Sequence, residues 1–93
     1  MKKVRVVHYI NQFFGKIGGE EMASTPPRFE EGPVGIGQLI ETSSEGNFQI
    51  VRTVICGDNY AAENLDEFRN MILPWIEEMK PDIVLAGPAF AAG

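Results

Sequence analysis

Ninety-three residues, 44% of them apolar, make one globular domain at most. A formal net charge of −5, with basic residues clustered only at Lys2, Lys3 and Arg5, argues against a nucleic-acid binder, which shows a basic stripe. No apolar run approaches the ~20 residues of a membrane span, and a single cysteine rules out an internal disulfide or a paired-cysteine zinc site.

Met1-Lys2-Lys3 resembles the charged start of a secretion signal, but Arg5 and His8 interrupt the apolar stretch that must follow. The expected location is a reducing cytoplasm.

In chain order, "VRVVHYI" (Val4 to Ile10) is rich in β-branched and aromatic residues and predicts a strand. It is apolar on both faces apart from Arg5 and His8, as a buried parallel strand is. Asn11 to Gly32 shows no periodicity and holds several glycines and prolines, which predicts a loop. Loops beyond ~12–15 residues are uncommon in compact domains and are usually functional or disordered.

Ile36, Leu39 and Ile40 at i, i+3, i+4 spacing predict a short helix over 35–44. Phe48 to Cys56 is the second predicted strand. Phe48, Ile50, Val54 and Cys56 share one parity, and Arg52 breaks it. Asp58 or Asn59 can cap the next helix, because their side-chain oxygens accept from free first-turn amides. That helix is expected over 61–80, with a kink at Pro74 and a stop before Pro81. Trp75 and the methionines are expected in the core. "DIVLA" (Asp82 to Ala86) is the third predicted strand.

The order β, loop, α, β, α, β predicts an α/β fold. Right-handed crossovers give a three-stranded parallel sheet of order 2-1-3 with helices on opposite faces, a partial Rossmann or flavodoxin-like domain filling residues 1–93. Such a sheet leaves an edge exposed. The chain is therefore expected to be part of a longer protein or to cover that surface as a homo-oligomer.

Three polar or glycine-rich segments follow the three predicted strands, at the carboxyl edge where open α/β sheets bind ligands. Candidate site residues there are Asn11, Gln12, Gly19, Glu20, Glu21, Cys56, Asp58, Asn59 and Phe90. Acidic groups suit a substrate ammonium. Cys56 is read as a small packed residue, since Asp58 nearby opposes the low pKa a reactive thiol needs. Gly18-Gly19 could nest an anion, but Glu20 and Glu21 repel one. "GKIGG" is not a phosphate loop, because no Gly-Lys-Ser/Thr follows at the required spacing. His8 is read as a core or surface histidine; no metal cluster is expected, and no residue is assigned a catalytic role.

"VRVVHYINQFFGKIGGEE", "EGPVGIG", "VICGDNYAAEN" and "PDIVLAGPAFAAG", in this order, resemble the beginning of component B, the selenoprotein of glycine, sarcosine and betaine reductases. The resemblance implies an oxidoreductase of anaerobic amino-acid fermentation that binds a glycine derivative. Its selenocysteine attacks the α-carbon, the carboxymethyl group passes to selenoprotein A, and a pyruvoyl-bearing subunit assists. No U-x-x-C or C-x-x-C motif stands in this sequence, and "CGDN" is a different motif. The expected role is thus an N-terminal, pocket-lining part of such a reductase, inactive alone and holding neither selenocysteine nor pyruvoyl group. The alternative is a stand-alone oligomeric interaction or small-ligand-binding module.

Overall fold

A computed structural model describes residues 3–87. The elements are β1 (Val4–Asn11), a 3-10 turn (Glu20–Met22), β2 (Arg28–Glu31), α1 (Ile36–Ser43), β3 (Phe48–Cys56), α2 (Asp58–Glu63), α3 (Leu65–Glu78) and β4 (Ile83–Ala86). The sheet order is β2-β3-β1-β4. β1 pairs in parallel with both β3 and β4, while β2 runs antiparallel to β3. The α/β class holds, but the sheet is four-stranded and mixed, not the three-stranded parallel sheet expected. The three parallel strands keep the relative order deduced from crossovers. The correction is β2, which lies inside the segment read as loop. Its sequence, RFEE, carries no apolar alternation; it becomes a strand because β3 offers it a partner.

The parity break at Arg52 has a structural cause. Val6 pairs with Ile50 but Val7 with Arg52, so Val51 is an extra residue in β3. Such a bulge reverses which face the following side chains meet. Ile50 lies against Gly37 of α1, whereas Arg52 reaches α3 on the opposite face. The amide of Ile50, beyond the end of β2, donates to the Glu41 carboxylate of α1 at 2.8 Å.

Arg52 is only 5% exposed. Its Nε and Nη2 donate to Glu31 Oε1 at 3.0 and 2.6 Å, its Nη1 donates to the Trp75 carbonyl at 3.0 Å, and Glu78 lies 3.6 Å away. The guanidinium also stacks 4.0 Å from the Phe29 ring centroid. At the last turn of α3 the Met79 amide bonds Ile76, which leaves the Trp75 carbonyl to Arg52. Arg5 of β1 donates to the Met79 carbonyl at 2.6 Å. α3 has no basic residue in its last turn. Two strand arginines therefore satisfy its terminal carbonyls and oppose its negative dipole end.

The core is Val6, Val7, Ile10, Ile50, Val54, Ile55 and Cys56, with Ala23 from the long connection. Burying each large aliphatic side chain contributes on the order of 1.5–3 kcal/mol. The two faces are covered separately. His8 and Ile50 meet α1 at Gly37, while Tyr9 packs edge-on against Phe68 and Phe29 against Trp75, both of α3.

One helix expectation is corrected, the single uninterrupted helix over 61–80. The long helix breaks at Asn64, whose φ of −131° and ψ of 48° are not helical, and α3 continues through Pro74. Met22 and Met71 are exposed rather than core, and Trp75 is half-buried. Among the described residues, no helix is long and apolar enough to cross a membrane.

His8 is fully buried, with Nε2 2.5 Å from the Gly87 carbonyl and Nδ1 without a partner among the described residues. Burial lowers its pKa below the usual value, and the Gly87 carbonyl partly offsets this. The unfolded chain therefore takes up a proton near the ordinary histidine pKa that the native chain resists. Stability should fall as pH drops from about 7.5 to 5.5, and His8→Gln should remove that part of the slope, read as urea midpoints at each pH. An unchanged slope in His8→Gln would contradict the assignment. Arg52→Met should cost about 2 kcal/mol in the same measurement, through its lost charged hydrogen bonds.

Candidate site at the carboxyl edge of the sheet

β1 and β3 end side by side, with Asn11 opposite Cys56. Asn11 is 1% exposed and Gln12 2%. Buried side-chain amides must find partners, and these two organise everything around them. Asn11 Oδ1 accepts from the Phe14 amide at 2.9 Å, so it caps the turn that leaves β1. Its Nδ2 donates to Asp58 Oδ2 at 3.1 Å. Gln12 Oε1 accepts from the Asp58 amide at 3.0 Å, and its Nε2 donates to the Gly19 carbonyl at 3.3 Å. The expected cap of α2 by its own Asp58 or Asn59 is not what forms. Gly57 is the N-cap and makes no side-chain cap bond. Gln12, from the turn that follows β1, supplies the oxygen.

The long connection is laid across this edge by its backbone. The Gly57 amide donates to the Thr25 carbonyl at 2.9 Å, and the amides of Asn59 and Tyr60 donate to the Ala23 carbonyl at 2.8 and 3.1 Å. The approach is so close that a Cβ on Gly57 would collide with the Ala23 carbonyl. Gly57 is therefore required by space. Gly35, with φ of 56° and the Phe14 carbonyl 2.6 Å from where a Cβ would stand, is required by both conformation and space.

The candidate residues are thus only partly brought together. Asn11, Gln12, Gly19 and Asp58 form one hydrogen-bonded cluster, with Asp58 half-buried and partly open to solvent. Cys56 lies beside it, fully buried, its Sγ 3.8 Å from the Thr25 carbonyl and 3.5 Å from that of Gly57. Asn59 is exposed and joins through its backbone. Glu21 is exposed, and its Oε1 accepts from the Gly19 amide at 3.0 Å. Hydrogen bonds from its own amide and that of Gly19 lower its pKa. Glu21 thereby occupies a donor that a glycine nest would have turned to an anion. Glu20 begins the 3-10 turn. Phe90 lies outside the described residues.

Two features escaped the sequence. Tyr9, two residues before Asn11 and so on the same face of β1, has its pKa raised by burial, with Cys56 and Asp58 adding to the effect. The period of two along β1 places it on the face of Asn11 and could have found it. The docking carbonyls of Ala23 and Thr25 carry no sequence signal, because any residue supplies a carbonyl.

The setting of Cys56 disfavours the thiolate. Burial, and then the Asp58 carboxylate, push its thiol up to about 12. The thiolate is the reactive form. Among the described residues, no three metal-binding side chains cluster.

The fold and edge define an α/β segment with a polar cluster where such sheets take small ligands. The sequence profile described as glycine/sarcosine/betaine reductase selenoprotein B matches residues 3–93, and the chain belongs to that family. It is 56% identical over its whole length to glycine reductase complex component B subunit gamma of Carboxydothermus hydrogenoformans. It is 50% identical to sarcosine reductase complex component B subunit beta of Peptoclostridium acidaminophilum, and 42% to the betaine reductase component B subunit beta of that organism. In each case the chain spans 21% of the relative's length. No solved structure matches the chain.

Iodoacetamide labelling tests the thiol. Cys56 should react slowly, with a rate that stays low between about pH 6 and 9, far below a free cysteine. A fast reaction already complete at the acid end would contradict a buried, high-pKa thiol.

Proposed function

We propose that this chain forms part of the substrate pocket of a glycine, sarcosine or betaine reductase component B. It contributes binding groups and no attacking group. The observation that carries the reading is the carboxylate of half-buried Asp58, held at the ends of β1 and β3 by buried Asn11. A fixed, partly desolvated carboxylate attracts a substituted ammonium more strongly than a mobile surface one. Glycine and sarcosine present such an ammonium, and betaine presents a quaternary one. The names of the relatives, components of glycine, sarcosine and betaine reductase complexes, agree with this substrate class.

In this reading Asn11 orients the carboxylate and Gln12 fixes the start of α2. Gly57 lets the 23–25 segment close over the edge. Glu21, on the rim, adds negative potential without entering the cluster. The selenocysteine and the pyruvoyl group belong to other parts of the reductase assembly, so the chain alone binds but does not reduce. Selenoprotein A then receives the product of the assembled enzyme, in the cytoplasm of an anaerobe.

Asp58→Asn keeps the shape and the hydrogen-bond acceptor while removing the charge. In an assembled reductase that contains this chain, it should raise KM for glycine about tenfold and leave kcat within about twofold. An unchanged KM would contradict the assignment of Asp58 to the ammonium.

A further inference from the structure

The two edges of the sheet differ in kind. β2 carries Arg28, Glu30 and Glu31, all exposed, in a four-residue strand. Short, charged strands are how sheets end without inviting further pairing. β4 is Ile-Val-Leu-Ala, with no polar side chain on either face. Its register sets Ile83 and Leu85 beside Val6 and His8 on the α1 face, and Val84 and Ala86 beside Val7 and Tyr9 on the α3 face. Val6 and Val7 are fully buried, yet Ile83 is 40% and Val84 51% exposed. α3 reaches Tyr9 through Phe68 and leaves Val84 open. A parallel strand that is apolar on both faces is the pattern of a strand inside a sheet.

We propose that β4 is an interior strand in the assembled protein, and that a strand from the remaining four-fifths of the family polypeptide pairs with its free edge. The occupant follows from length: the chain matches 21% of relatives whose other segments must pack against something. The same polypeptide covers Ile83 on one face and Val84 on the other. The inference rests on family membership and is independent of the substrate pocket. Loss of this docking and loss of ammonium binding would be separate results.

The test mixes this chain with a probe, the Carboxydothermus component B subunit gamma lacking the segment that aligns with it. The two should form a 1:1 complex. Amides of β4 facing away from β1 should exchange with deuterium at least roughly tenfold more slowly than in the chain alone. Val84→Lys should keep the circular dichroism of the parent chain and lose the complex. A folded probe that does not bind, or full binding by Val84→Lys, would overturn the proposal. So would a homodimer protecting β4 in the absence of probe, since the occupant would then be a second copy. If the probe does not fold alone, exchange in the intact relative decides: the stretch aligned with Ile83–Ala86 should be as protected as that aligned with β1, and rapid exchange would overturn the proposal.

Discussion

The burial of Arg52 is the constraint on which the arrangement of this chain turns. A guanidinium in a sheet interior is costly unless its donors are satisfied. Here its charge is opposed by Glu31 of β2 and Glu78 of α3, and one donor closes a helix carbonyl that the helix itself leaves open. The bulge at Val51 turns Arg52 toward α3, and Glu41 takes the Ile50 amide next to it. Arg5 repeats the device one strand away. Together they fix where α3 ends. The return to β4 follows at once, with the Asp82 amide donating to the Arg5 carbonyl and the Arg5 amide to the Asp82 carboxylate.

The opposite end of the sheet is held by neutral amides rather than by charge. Asn11 and Gln12 are as buried as the aliphatic core, and each bonds two partners from different segments. Such a network is rigid when complete, and its loss leaves buried polar atoms unpaired. The rigidity lets one carboxylate, Asp58, remain in place while partly open to water. The hollows that are described lie elsewhere. The larger is a shallow one of about 710 Å³ near Ile36, Leu39 and Phe48, on the side of the sheet away from the carboxyl edge. It has mainly apolar walls and no element of the carboxyl-edge cluster, so the case for the edge rests on its chemistry.

Much of this was legible in the sequence, and the exceptions share a cause. β1, α1, β3 and β4 follow from local composition and periodicity, and their bounds differ from expectation by a residue or so. β2 was hidden because RFEE has no apolar alternation, and its pairing comes from β3 and Arg52. The helix break at Asn64 was hidden because Ala61, Ala62 and Glu63 before it and Leu65 after it are all good helix formers. The cap of α2 was sought within two residues, whereas Gln12 provides it from 46 residues away. The gathering of Asn11, Gln12, Gly19 and Asp58 was inferable from the parallel topology, which sends successive strand ends to one edge. What no local rule shows is that these side chains chiefly bind one another, and that Glu21 answers its own glycine.

The central claim is that the carboxyl edge, through Asp58, receives the ammonium of a glycine derivative. A crystal structure of an assembled component B containing this chain, with sarcosine bound, tests it most directly. The account places the sarcosine nitrogen within about 4 Å of the Asp58 carboxylate, the range of an ion pair. A substrate bound with its nitrogen on residues outside this chain, and with Asp58 contacting only Asn11, would contradict it.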